Sequence, residues 1–169
     1  MQKKHIGIFL IIIMFSSVIV TSFLSSLYPK IPESPVEYEL SLDQEIEILR
    51  NGKTIVKFYY TSSCTDCAEI KEYLMNLANQ YKNHIYVENI LAENKSYFTT
   101  IKFDEINKTI TLVNQSLEKL PLIHLIGFNF TQTKIIPTTI TIEENITNEK
   151  IFSEICKILF QPLADCLIA

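Results

Sequence analysis

The chain has 169 residues, 47% of them hydrophobic, and a formal net charge of −4. That acidic balance argues against a nucleic-acid-binding surface, which needs a basic excess. Only Gly7, Gly52 and Gly127 are glycine, so there is no Gly-rich phosphate loop. Without its apolar N-terminal segment the chain keeps about 130 residues, enough for one compact domain with its own core.

Residues Ile6 to Leu27 carry no charge, and Lys3 and Lys4 stand just before them. At about 1.5 Å rise per residue this stretch spans roughly 33 Å, enough for a bilayer core of about 30 Å. The lysines favour the cytoplasmic side, which puts everything after Leu27 outside. The reading is a single-pass anchor over residues 1–28, with a cytoplasmic N-terminus and an extracytoplasmic domain. His5 belongs to the membrane flank. A cleaved signal peptide competes with this reading. Its apolar stretch would be about 7–15 residues, and Ser22-Phe23-Leu24-Ser25 is a mediocre cleavage site. Both readings export the domain. Sequons at Asn94, Asn107, Asn114, Asn129 and Asn145 fit an exported surface, although an Asn-rich composition produces some by chance.

Pro29, Pro32 and Pro35 mark residues 29–39 as a stiff linker, and the domain is drawn from residue 40 to 169. Ser41 and Gln44 form a capping-box pair that opens a helix ending at Asn51-Gly52. Thr54 to Tyr60, β-branched and aromatic, reads as a buried strand. Thr61-Ser62-Ser63 is a polar turn into Cys64. From Cys67 to Tyr81, Ile70, Leu74, Leu77 and Ala78 recur at helical spacing. His84 to Leu91 reads as a strand. Residues 92–120 fit no single pattern, and a helix over Ile110 to Leu120 is the one element suggested. Leu122 to Gly127 and Ile135 to Ile142 read as strands, the second containing Pro137. Thr147 caps a helix expected to run through Phe160, with Pro162 stopping it. Strands alternating with helices, then a hairpin and a closing helix, predict an α/β fold. Its mixed sheet is covered on both faces.

The chemistry-bearing motif is Cys64-Thr65-Asp66-Cys67. A dithiol exchanging electrons needs one accessible, easily ionised thiol and a second close enough to close a disulfide. A helix N-terminus supplies unpaired amides and a dipole that favour the first thiolate. The second cysteine, one turn on, can attack a mixed disulfide. The motif's place between a strand and a helix makes the signal specific. A zinc half-site would need a second close pair, and Cys156 and Cys166 are separated by nine residues, so no metal is expected. An inert structural disulfide and copper handling are the remaining competitors.

From Leu40 to Phe160 the sequence resembles the thioredoxin-like superfamily. The resemblance rests on Phe58 to Cys67 (FYYTSSCTDC), the helix after it and the terminal β-β-α unit. It is nearest to small, membrane-tethered extracytoplasmic members. It implies a thioredoxin-like mixed sheet flanked by helices and preceded by one transmembrane helix. It also implies a thiol–disulfide oxidoreductase with Cys64 as nucleophile and Cys67 as resolving thiol. The expected partners are protein thiols or disulfides and a membrane electron donor or acceptor, and no cofactor is implied. A chaperone or adaptor with little turnover, or a metallochaperone, is the alternative. Three positions depart from the family pattern: Ser63 where thioredoxin has Trp, Thr65-Asp66 for Gly-Pro, and no carboxylate in Thr54 to Tyr60. The family also places a cis-proline opposite the dithiol, where it presents backbone to an extended substrate. Ile136-Pro137-Thr138 matches the usual local sequence better. Leu120-Pro121 matches the topology better and is favoured, with a turn or edge-strand role for the other.

Cys156 and Cys166 would lie about 15 Å apart on one straight helix, too far for a disulfide. Pro162 lets the tail fold back, so a structural disulfide is the leading reading in an oxidising compartment. A shuttle partner for Cys64 and free buried thiols stay open. His84 and His124, on strands, read as structural.

Overall fold

The computed structural model describes residues 30–104, 109–131 and 134–167. The apolar stretch Ile6 to Leu27 and its anchor reading lie outside them, and among the described residues no helix is long and apolar enough to cross a membrane.

The elements in chain order are α1 (Leu42–Arg50), β1 (Thr54–Tyr60), α2 (Cys67–Gln80), β2 (Ile85–Leu91), β3 (Tyr97–Asp104) and β4 (Thr109–Ser116). β5 (Leu122–Thr131), β6 (Lys134–Ile142), α3 (Asn148–Cys156) and a 3-10 turn (Ala164–Leu167) complete the order. The main sheet runs β2-β1-β5-β6. β1 and β2 are parallel, whereas β5 is antiparallel to both β1 and β6. Parallel neighbours need a crossover, which α2 supplies. Antiparallel β5 and β6 need only a tight connection.

β1 is central, and its first six residues are buried on both faces. On one face Val56, Phe58, Val87, Ile123 and Leu125 meet α2 and α3 through Leu74, Leu77, Ile151 and Ile155. On the other, Ile55, Tyr86 and Ile126 meet Ile48 of α1 together with Val36 and Leu40. The result is a thioredoxin-like α/β mixed sheet with helices on both faces.

α1 starts where Ser41 predicts, with the Ser41 N–H donating to Gln44 Oε1 at 3.1 Å. It ends at Arg50, and Gly52, two residues beyond, has a φ of +74° that suits a residue without a Cβ.

Three expectations fail. The first is the suggested helix over Ile110 to Leu120. Tyr97 to Ser116 instead form an antiparallel ribbon, with Ile101 opposite Leu112 and Thr100 opposite Val113. Thr109, Thr111 and Val113 are β-branched residues with apolar ones interleaved, and this strand pattern outweighs helix propensity. Phe98 and Thr100 bury the ribbon's inner side, while Ile110 and Leu112 are exposed.

The second is the length of the closing helix, which stops at Cys156 rather than Phe160. The Ile158 carbonyl is drawn toward the sheet instead, accepting from Phe128 N–H at 2.8 Å and Thr54 Oγ1 at 3.1 Å. Gly127 permits this approach, because a Cβ there would stand 2.4 Å from that oxygen.

The third is the linker over residues 29–39. Its described part is not a free spacer, since Ile31 onward packs with the domain. Val36 is buried and bridges β2: its N–H donates to Val87 O at 3.0 Å, and its carbonyl accepts from Asn89 N–H at 2.8 Å. Ser34 Oγ accepts from Val87 N–H at 2.8 Å, and Tyr86 Oη donates to Pro32 O at 3.0 Å.

Candidate redox site

β1 ends at Tyr60, and four residues later Cys64 stands at the mouth of α2. Cys64 and Cys67 are joined by a disulfide with their Cα atoms 5.5 Å apart. Cys64 is half-buried, and Cys67, the first residue of α2, is 4% exposed. The pair is therefore asymmetric: Cys64 is partly open to solvent, and Cys67 is buried in the core cluster that holds Ile70 and Phe58. Asp66 is the N-cap residue and makes no side-chain capping bond to the helix. Its Oδ1 accepts instead from Thr65 Oγ1 at 3.1 Å, so its charge stays in the exposed loop.

Lys71, a turn further along α2, is held by Glu37 at 2.7 Å and lies 5.7 Å from the centre of the Tyr60 ring. The Glu37 contact raises the Lys71 pKa. Tyr60 in turn stacks on Phe58, with ring centres 5.2 Å apart.

The two proline candidates lie at opposite ends of the sheet. The Leu120–Pro121 bond is cis. Leu122 pairs with Tyr59, so Pro121 sits beside the end of β1 that leads to the dithiol. Pro137 pairs with Phe128 on the edge strand β6. Phe128 is six residues along β5 from Leu122, about 20 Å at roughly 3.3 Å per residue. Pro137 is thus remote from the dithiol.

Cys156 and Cys166 form a second disulfide, with their Cα atoms 5.6 Å apart. It too lies at the far end. Ile158, two residues beyond Cys156, touches Thr54 at the start of β1, and Asp165 accepts from Tyr81 Oη just past the end of α2. All four cysteines are thereby paired. Among the described residues no group of three His, Cys, Asp or Glu side chains is arranged to hold a metal.

The opposite face of the sheet carries a buried polar layer that no motif in the sequence announces. Lys57 is 1% exposed, with its Nζ 2.6 Å from Glu45 Oε1 and 3.6 Å from Glu39 Oε1. Burial works against its ammonium, and the Glu88, Glu45 and Glu39 carboxylates more than offset it, so its pKa is raised. Glu88 is fully buried. Its Oε2 accepts from Leu40 N–H at 3.1 Å, Oε1 has no partner, and burial pushes its pKa up to about 7.

His124 is also buried, between Thr100 Oγ1 at 2.7 Å and Thr141 Oγ1 at 3.1 Å. Burial, and then the Lys57 charge, lower its pKa to about 3, so it is neutral. His84 is half-buried in the turn before β2. The one sequence signal for this layer is the lysine at the centre of TIVKFYY, because a charge there requires buried acids.

Of the five sequons, Asn94, Asn114, Asn129 and Asn145 are exposed, and Asn107 lies outside the described residues.

A parallel β-α-β unit with a dithiol at its helix start, followed by an antiparallel hairpin and a closing helix, defines a thioredoxin-like fold carrying a disulfide of the C-x-x-C type. No family model and no curated protein matches the chain. Among solved structures it is similar to the germline-specific thioredoxin Deadhead of Drosophila melanogaster (17% identity over 73% of this chain and 98% of that one, TM-score 0.42). It is similar also to thioredoxin f from spinach chloroplast (12% identity over 75% and 96%, TM-score 0.43). A third is chloroplastic thioredoxin z (14% identity over 72% and 92%, TM-score 0.42). At this level of identity and superposition the likeness decides nothing, and the fold is read from the strand order and helix placement above.

Proposed function

We propose that this chain is a thiol–disulfide oxidoreductase, anchored in a membrane through Ile6 to Leu27, that acts outside the cytoplasm on protein disulfides. The observation that carries the reading is the Cys64–Cys67 disulfide at the start of α2, with Cys64 half-buried and Cys67 buried.

In the reduced protein the Cys64 thiolate attacks one sulfur of a substrate disulfide. That S–S bond breaks, and the leaving thiolate takes up a proton. The mixed disulfide on Cys64 is then attacked by the Cys67 thiolate, which releases the second substrate thiolate and closes the Cys64–Cys67 bond. Two electrons pass to substrate, and the protein ends oxidised. A dithiol donor in the membrane restores it. Pro121, beside the dithiol, presents backbone to the extended substrate.

Reduction or isomerisation is favoured over strong oxidation. A strong oxidant needs a very acidic first thiol. The helix N-terminus favours the Cys64 thiolate, but Asp66 opposes it. At about 6–8 Å and an effective dielectric of roughly 40–80, that opposition is about 0.5–1.4 kcal/mol. Lys71 is already engaged by Glu37 and does not compensate.

The test is a pair of variants. Cys64→Ser should abolish reduction of an insulin-type disulfide, and Cys67→Ser should accumulate mixed disulfides. Full activity in Cys64→Ser would sink the assignment. Equilibration with glutathione tests the direction, and a potential near −120 mV would make the chain a strong oxidant instead.

A further inference from the structure

The sheet face away from α2 and α3 is incompletely covered. Between α1, the β3–β4 ribbon and the far end of β5–β6 runs an apolar groove of about 650 Å³. Leu42 and Ile46 of α1 form one wall, Ile110 and Leu112 of β4 the other, and Phe128 and Phe160 the floor. The four wall residues are each more than a third exposed. Ile110 and Leu112 share one side of β4, so this strand carries an apolar stripe that no described element covers. Phe130, packed edge-on against Phe160, and Ile135, its partner across the hairpin, extend the exposed apolar surface beyond the groove. A contiguous apolar surface of this kind marks a docking face. Arg50 stands at its rim, with an apolar stem and a solvated head suited to an interface between oil and water.

The length of chain ahead of the domain identifies the occupant. The uncharged stretch ends at Leu27, and only Tyr28, Pro29 and Lys30 separate it from Ile31. Ile31 packs against the same cluster as Leu49 and Ile101, two residues that also line the groove. The four steps from Leu27 to Ile31 reach at most about 14 Å.

We propose that the groove face lies in the interfacial layer of the bilayer that the stretch Ile6 to Leu27 enters. α2 and the Cys64–Cys67 pair are then left on the water-facing side, open to extracytoplasmic proteins. The inference rests on the membrane reading above and adds an orientation to it.

The chain has no tryptophan, so a single introduced Trp reports one place. The full chain would be reconstituted as Leu112→Trp and, in parallel, as Met75→Trp, an exposed position on α2. The vesicles are phosphatidylcholine with a minor phosphatidylglycerol fraction, with or without brominated acyl chains. For Leu112→Trp the emission should shift to the blue and lose roughly half or more of its intensity to the brominated lipid, as for a face sunk about 5–10 Å into the headgroup boundary. Met75→Trp should stay red-shifted and unquenched. Equal quenching at both positions overturns the orientation. A blue-shifted Leu112→Trp that brominated lipid leaves unquenched also overturns it, because protein would then fill the groove. Vesicle flotation reads the anchor separately. A chain that floats with Leu112→Trp unquenched refutes the groove docking alone, and a chain that does not float refutes the membrane reading beneath it.

Discussion

Glu88 is a carboxyl with one oxygen on the Leu40 amide and the other on nothing, inside a layer already holding Glu45 and Lys57. Its pKa, pushed up to about 7 from 4.5, has a consequence for stability. Between those values the folded chain binds more protons than the unfolded one, so this group's contribution falls as pH rises through the window and is flat above it. Glu88→Gln keeps an acceptor for the Leu40 amide and removes the cost of ionisation. The variant should match the parent near pH 4.5 and exceed it by about 2–3 kcal/mol at pH 8, as measured by urea unfolding across pH. Subtracting the parent cancels the opposite trend from His124, which resists the proton that the unfolded chain accepts. A difference independent of pH would refute the account. None of this layer is legible as a site in the sequence. The strand TIVKFYY is recognisable as buried, but the acids that neutralise Lys57 come from positions 39, 45 and 88, and only the fold brings them together.

At the scale of elements, legibility follows periodicity. α2 shows its face through Ile70, Leu74, Leu77 and Ala78, and the dithiol's place at its start follows from that pattern alone. The β3–β4 ribbon is obscured because β4 has its apolar residues Ile110 and Leu112 in the open and buries none of its own, so its alternation marks no core. The end of α3 was hidden for another reason: the Ile158 carbonyl leaves the helical ladder for donors on β1 and β5, a tertiary effect invisible to helix propensity. The 3-10 turn that follows is fastened back to α3 by Cys156–Cys166. With a sequence separation of 10, closing that loop restricts the unfolded chain by about 2–3 kcal/mol. The bridge lies by the start of β1 and the end of α2, the dithiol by the end of β1 and the start of α2, so the two pairs cannot exchange directly. The Cys156→Ser/Cys166→Ser double variant should therefore lose about 2–3 kcal/mol in urea unfolding while its rate of disulfide reduction stays at the parent level. A large loss of rate in the folded variant would instead make the second pair part of the electron path.

At the scale of the whole molecule, the mixed sheet, its helices on both faces and the dithiol position are readable in the sequence, because they depend on local patterns and one crossover. The start of the domain is not. Pro32 and Pro35 look like spacer residues, yet the segment around them lies along β2, which would otherwise present an open edge. The packed unit begins at Ile31 rather than at residue 40. Two truncations separate these boundaries. A chain beginning at residue 30 retains Val36, Leu40 and the contacts of Ser34 and Pro32, and should unfold in urea as the full domain does. A chain beginning at residue 40 loses the buried Val36 side chain, worth about 1.5–3 kcal/mol. It also loses two backbone hydrogen bonds to β2, each worth about 1 kcal/mol. It should be less stable by about 3–5 kcal/mol. The bared β2 edge should make it prone to associate, read as an increase in apparent mass with concentration. The dithiol, at the C-terminal end of β1, should still turn over in whatever fraction stays folded. Equal urea midpoints for the two truncations would return residues 31–39 to the role of a free linker.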